Sequence, residues 1–146
     1  MKKMLFLALL CAGTALFAQN PPEGVSSENN IPKAVYPCVD AQHRATFALK
    51  APTAKEVAVD ICSKVYPMTK DADGLWKGTT EPLVVGPHYY QLVVDGVRVN
   101  DPNVYTVYGC GSDYSLIEIP EDPETAAYYS FNPDIPHGQV RECQYW

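Results

Sequence analysis

Beyond its first eighteen residues, this chain lacks any dozen-residue window with an apolar stripe at helical spacing, and it lacks a second apolar run long enough to span a bilayer. It has no two cysteines at C-x-x-C spacing, and His43, His88 and His137 are scattered singly, so no metal is expected. No G-x-S-x-G elbow and no third glycine after Gly109 and Gly111 are present, which argues against a serine hydrolase centre and against a dinucleotide loop. Basic residues are also scarce. Eleven Lys and Arg face seventeen Asp and Glu, a net charge of −6. Without a basic cluster to neutralise phosphates, nucleic acid and anionic membrane surfaces are poor partners.

What the chain does have is strand periodicity. Ala45, Phe47 and Leu49 alternate with Thr46, Ala48 and Lys50, and Val57, Val59 and Ile61 with Ala58 and Asp60. The connections carry turn chemistry: Ala51-Pro52-Thr53-Ala54, then Asp73-Gly74, then Asp95-Gly96 between Leu92-Val93-Val94 and Val97-Arg98-Val99. Asp-Gly supplies the positive φ that a tight hairpin needs, so a hairpin is predicted at Asp95-Gly96. Val104 to Tyr108 and Ser115 to Ile119 add short β-branched and aromatic runs. The expected fold is an all-β antiparallel sandwich.

The ends have a different character. Residues 1–18 place Lys2 and Lys3 before an apolar run and end on Ala18, the pattern of a secretory signal peptide, which implies a secreted or periplasmic protein. A lipoprotein reading through Cys11 is weaker, because Leu10 stands where a small residue is expected. Removal of the leader leaves 128 of the 146 residues, enough for one domain, and nine basic against seventeen acidic residues, a charge of −8. Residues 19–34 read as an extended leader to a sandwich over 35–120, with an edge strand expected at Ala34-Val35-Tyr36. Residues 121–146, punctuated by Asp122-Pro123, Asn132-Pro133 and Ile135-Pro136, read as a linker and the start of a further domain outside this chain. Cys38, Cys62, Cys110 and Cys143 are disulfide candidates in an oxidising compartment; three pairings are open, and free thiols are the alternative.

Catalytic constellations are missing, and no cofactor is implied. Gly109-Cys110-Gly111-Ser112 reads as a tight turn. Asp95, Asp101 and Glu118 are the available carboxylates, yet Asp95 is a turn residue and Asp101 precedes a proline, so a glycosidase pair is not indicated. His137 has no serine or cysteine partner in view. Instead the chain carries ten tyrosines and two tryptophans. Aromatic faces suit the C–H side of a sugar, with Asn, Asp or phenol groups bonding to hydroxyls. The candidates for carbohydrate contact are Trp76, Tyr89, Asp101, Asn103, Tyr105 and Tyr108, although Trp76 is more often core, and one of the adjacent pair Tyr89 and Tyr90 must point inward.

Arg44 to Pro52 (RATFALKAP), Ala54 to Asp60 (AKEVAVD), Gly74-Leu75-Trp76, Gly86 to Gly96 (GPHYYQLVVDG) and Asp101-Pro102 together resemble carbohydrate-binding module family 48, over roughly residues 35–120. This is the early-set immunoglobulin-like domain also found at the N-terminus of glycoside hydrolase family 13 enzymes. The segments YPCVDAQHRATFALKAP, HYYQLVVDGVRVNDPN and DIPHGQV are similar to the version that precedes feruloyl and acetyl xylan esterases of carbohydrate esterase family 1. The resemblance implies a noncatalytic accessory domain, with polysaccharide or oligosaccharide and a following esterase domain as partners. A freestanding glycan-binding protein and a structural early-set interaction domain are the alternatives. Asp60 to Met68 (DICSKVYPM) lacks the tryptophan of starch-binding members, so α-glucan binding is not implied.

Overall fold

The computed structural model describes residue 21 and residues 23–145; the expected signal peptide, its cleavage after Ala18 and Cys11 lie outside them. Among the described residues, eleven strands build two antiparallel sheets. One runs in the order β1 (Val25–Ser26), β2 (Cys38–Val39), β3 (Arg44–Lys50), β7 (Leu75–Pro82), β6 (Thr69–Lys70). The other runs β10 (Thr106–Gly109), β11 (Ser112–Ile119), β8 (Gly86–Val94), β4 (Val57–Ile61), β5 (Lys64–Pro67), with β9 (Val97–Val99) paired to β8. With β2, β3, β7 and β6 read as A, B, E and D, and β11, β8, β4 and β5 as G, F, C and C′, this is the strand order of an immunoglobulin-like sandwich.

Alternation decides which side chains form the core. On β4, Val57, Val59 and Ile61 are buried while Ala58 and Asp60 are less so; on β8, Tyr90 and Leu92 are buried and Tyr89 is exposed. Phe47 of β3 meets Tyr90 of β8 across the two sheets with ring centroids 4.7 Å apart. Trp76 is 6% exposed and its indole N–H donates to the Ala51 carbonyl at 2.9 Å. Burial of each such large apolar side chain favours folding by about 1.5–3 kcal/mol.

The Asp95-Gly96 hairpin forms as expected, with φ of 48° and 83° at its two central residues and Val94 opposite Val97. Asp95 does more than turn. Its Oδ1 accepts the backbone N–H groups of Lys55 and Glu56, which hold its carboxyl below the usual carboxylate range and tie the start of β4 to the hairpin. A second tight turn joins β10 to β11, and there Cys110 and Gly111, at φ 51° and 80°, take the left-handed positions.

Three segments differ from expectation. Ala34-Val35-Tyr36 is not a strand, because a local turn and a side chain take its backbone groups: the Ala34 N–H donates to Ile31 and the Val35 carbonyl accepts from Ser26 Oγ. Pairing begins earlier, at Val25, opposite Val39. This N-terminal stretch is tied down where Lys77 Nζ donates to Glu23 Oε1 at 2.7 Å and to the Tyr36 hydroxyl at 2.6 Å, and that hydroxyl donates to Glu23 Oε2 at 2.7 Å. Within 121–146, Pro123–Tyr129 is a short helix, α1. Asp122-Pro123 reads as a turn in sequence, but proline fits the first position of a helix, where its missing N–H has no partner to lose.

The loop from Asn100 to Tyr105 is held by a buried polar chain. The Tyr90 hydroxyl donates to Asp101 Oδ2 at 2.9 Å, the Asn103 N–H donates to Asp101 Oδ1 at 2.8 Å, and the Asp101 N–H donates to Ser115 Oγ at 2.7 Å. Burial pushes the Asp101 carboxyl above the ordinary carboxylate value and Tyr90 well above that of a free phenol. Asp101→Ala strands the buried Tyr90 hydroxyl and is expected to lower stability by about 1–3 kcal/mol in urea denaturation. Because the folded carboxyl is raised, the native state binds more protons than the unfolded one just above pH 3.8. Its contribution therefore favours folding in acid and is lost as pH rises through the folded value. Asp101→Asn should remove that part of the pH dependence, measured by denaturation midpoints from acid to neutral pH.

Candidate functional site

The outward face of the β10–β11–β8–β4–β5 sheet receives the side chains that alternation keeps out of the core. Tyr89 lies opposite Leu116, and Gln91 opposite Asp60. Tyr89 is 43% exposed and packs beside Tyr114 of β11 with ring centroids 5.4 Å apart and planes inclined at 36°. Its phenol end lies against Gly109 of β10, where a β-carbon would force the ring to shift. Arg98 of β9 is ion-paired to Asp60 Oδ2 of β4 across the intervening β8. Together Asp60, Cys62, Ser63, Tyr89, Arg98 and Tyr114 line a recess of about 320 Å³.

The recess offers two phenol rings, a carboxylate acceptor, a guanidinium donor and the Gln91 amide. That set suits a neutral polyol, whose C–H faces pack on rings while its hydroxyls bond to fixed charges. Among the described residues no three metal-ligating side chains come together. Of the carboxylates singled out from sequence, Asp95 is committed to backbone N–H groups and Asp101 to the buried chain through Tyr90, while Glu118 is exposed on β11 away from this recess.

Of the sugar-contact candidates read from sequence, the structure brings Tyr89 to this recess, together with Cys62 from the disulfide candidates. Trp76 does not reach a surface, because its ring fills the core. Asp101 is 2% exposed and Asn103 donates through Nδ2 to the Ala48 carbonyl at 2.9 Å, so both are structural rather than ligand-facing. Tyr105 and Tyr108 are exposed, at 58% and 78%. Tyr105 precedes β10, where its N–H donates to Asn29, and Tyr108 lies on β10 opposite Asp113. The four described cysteines are free in this structure. Cys38 is buried in β2, Cys62 and Cys110 sit in two different hairpin turns, and Cys143 is exposed in the C-terminal stretch, so no pair is brought to bonding distance.

Tyr114, Asp60, Gln91 and Arg98 were not among the sequence candidates. Arg98 was within reach, since a two-residue Asp-Gly loop sets it opposite Val93. Asp60 beside Gln91 required knowledge that β4 pairs with β8, which no local pattern carries.

No protein-family model matches the chain. It is 36% identical over 126 residues to a protein of Xylanibacter ruminicola described as an endo-1,4-beta-xylanase/feruloyl esterase; the match takes in 84% of this chain and 17% of that protein. The chain thus spans under a fifth of the length of this curated relative. Among solved structures, a pullulanase of Paenibacillus barengoltzii complexed with maltotriose overlaps 53% of this chain and 14% of its own, at 26% identity and a TM-score of 0.42. A pullulanase of Anoxybacillus sp. LM18-11 complexed with maltotetraose overlaps 87% and 17%, at 18% identity and a TM-score of 0.41.

The packing of Tyr89 over Gly109 is testable without a ligand. Gly109→Ala should displace the Tyr89 ring, and Tyr89→Ala should relieve the collision. Denaturation of the two single variants and the double variant is expected to give a coupling of about 0.5–3 kcal/mol, the range for residues in contact.

Proposed function

We propose that this chain is a noncatalytic accessory domain, of the carbohydrate-binding-module family 48 type, belonging to a secreted carbohydrate esterase that acts on plant cell-wall polysaccharide such as feruloylated or acetylated xylan. The observation that carries the reading is the outward Tyr89–Tyr114 pair set beside the Asp60–Arg98 ion pair in one recess. Two tilted phenols provide an apolar seat for a pyranose, and the flanking charges orient its hydroxyls. The likeness to a small part of a xylanase/feruloyl esterase supports the substrate class and the presence of a larger partner domain. A following esterase domain would supply the catalytic groups, and the module would hold it on the polymer.

One observation favours a second reading, a structural domain that packs on its neighbour. A groove of about 800 Å³ opens between Val25, Val39, Ala41, Pro120 and Ala126, at the edge from which β11 leads into α1. There a neighbour in the same polypeptide would meet the sandwich.

The two readings separate on soluble xylan in affinity electrophoresis, with acetylated and feruloylated samples run in parallel. Tyr89→Ala and Tyr114→Ala are expected to reduce retardation by about tenfold in apparent affinity, in line with about 1–3 kcal/mol for a lost aromatic contact in a binding centre. Both sites are partly solvent-exposed, so the fold should persist by circular dichroism. Retardation unchanged in both variants would remove the sugar reading and leave the packing domain; a loss confined to Tyr105→Ala or Tyr108→Ala would move the contact surface to β10.

A further inference from the structure

One reactive group in the lining of the recess, Cys62, is not used by the sugar reading. Cys62 Sγ lies 3.3 Å from His88 Nδ1, and His88 Nε2 lies 2.6 Å from the carbonyl oxygen of Val84. A carbonyl only accepts, so Nε2 carries the proton. Nδ1 then presents its lone pair to the thiol, and the S–H donates to it. The geometry is that of a thiol, a base and a group that orients the base. Sequence offers no hint of it, since the two residues are 26 positions apart; they meet because the Cys62-Ser63 turn, with φ of 53° and 59°, follows the rung that pairs Ile61 with Tyr90.

The surroundings set the resting state. Burial pushes the Cys62 thiol above its ordinary value, so it rests as neutral S–H and the imidazole serves as the proton acceptor when the sulfur reacts. Cys62 is nevertheless exposed, and it lines the same recess as Tyr89 and Tyr114. The other cysteines provide internal references: Cys110 and Cys143 are also exposed, whereas Cys38 is buried and its thiol is pushed up to about 11.

We propose that Cys62 and His88 form a base-assisted thiol–disulfide exchange site, and that a small thiol bonded there occupies the recess. In the step, the Cys62 proton passes to His88 Nδ1 and the sulfur attacks one sulfur of a low-molecular-weight disulfide. A new S–S bond forms to Cys62, the old S–S bond breaks and the second sulfur leaves as a thiolate that takes up the proton. The electron pair on the Cys62 sulfur makes the new S–S bond and the pair of the old S–S bond leaves with the departing sulfur, so the oxidation of Cys62 is matched by the reduction of the departing sulfur. The mixed disulfide fills the space between Tyr89, Tyr114 and Asp60, so sugar and adduct exclude one another; this last consequence rests on the carbohydrate reading above.

The test is time-resolved peptide mass mapping of the full chain with oxidised glutathione at neutral pH. Cys62 is expected to be modified about tenfold or more faster than Cys110 and Cys143, a modest share of what a positioned base contributes. His88→Gln should remove the advantage while leaving the rates at Cys110 and Cys143 and the thermal midpoint unchanged. A Cys62 rate equal to or below those of Cys110 and Cys143, or an advantage that survives in His88→Gln, would overturn the exchange site. The glutathione adduct should then abolish xylan retardation, with recovery on reduction and no effect in Cys62→Ser. Rapid exchange in a chain that never binds xylan would uphold the exchange site and remove the carbohydrate reading instead. Retardation unaltered by a complete adduct would overturn occupation of the recess.

Discussion

The Tyr90 hydroxyl enters the core on a ring that packs 4.7 Å from Phe47, and a phenol removed from water needs an acceptor. Asp101 supplies it, and in doing so Asp101 becomes a buried carboxyl whose own needs recruit Asn103 and whose backbone N–H engages Ser115. That short chain joins the inter-sheet core to the Asn100–Tyr105 loop and to β11. Much of the molecule's geometry follows. The loop brings Val104 into a bridge with Asn30, so the N-terminal stretch is seated, and Ser115 fixes β11 beside β8 with Tyr90 as its partner.

The same strand that sends Tyr90 inward sends Tyr89 outward, because successive β side chains face opposite sides. The candidate site is therefore a by-product of the core's registration. If β8 slipped by one residue, Tyr89 would be forced into the core and Tyr90 onto the surface, and both the polar chain and the aromatic recess would be lost together. Gly109 completes the arrangement by leaving room for the Tyr89 ring above β10. The Arg98–Asp60 pair is partly solvated, and such pairs add little to stability. Its importance lies in presenting fixed donors and acceptors beside the rings.

The positions at which expectation and structure part share a cause. Trp76, Asp101 and Asn103 are chemically suited to sugars, and that suitability is visible in the sequence; the burial of Trp76 and Asp101, and the hydrogen bonds of all three to Ala51, Tyr90 and Ala48, are made by residues distant along the chain. The helix at Pro123 was hidden because Asp-Pro opens turns and helices alike. Cys62 and His88, read singly, are an even-numbered cysteine and a scattered histidine; they become a pair only when β4 lies beside β8.

Local chemistry was enough to determine the fold class, the Asp95-Gly96 hairpin and the opposition of Tyr89 and Tyr90, since each depends on period-two alternation or on a residue's own φ preference. Which of that opposed pair faced the core, which tyrosines shared a recess, which carboxylate met Arg98, and which cysteine met a histidine were decided by tertiary structure alone. Those outcomes depend on which strands become neighbours, and strand neighbours are selected by the burial of the whole sandwich rather than by any one segment.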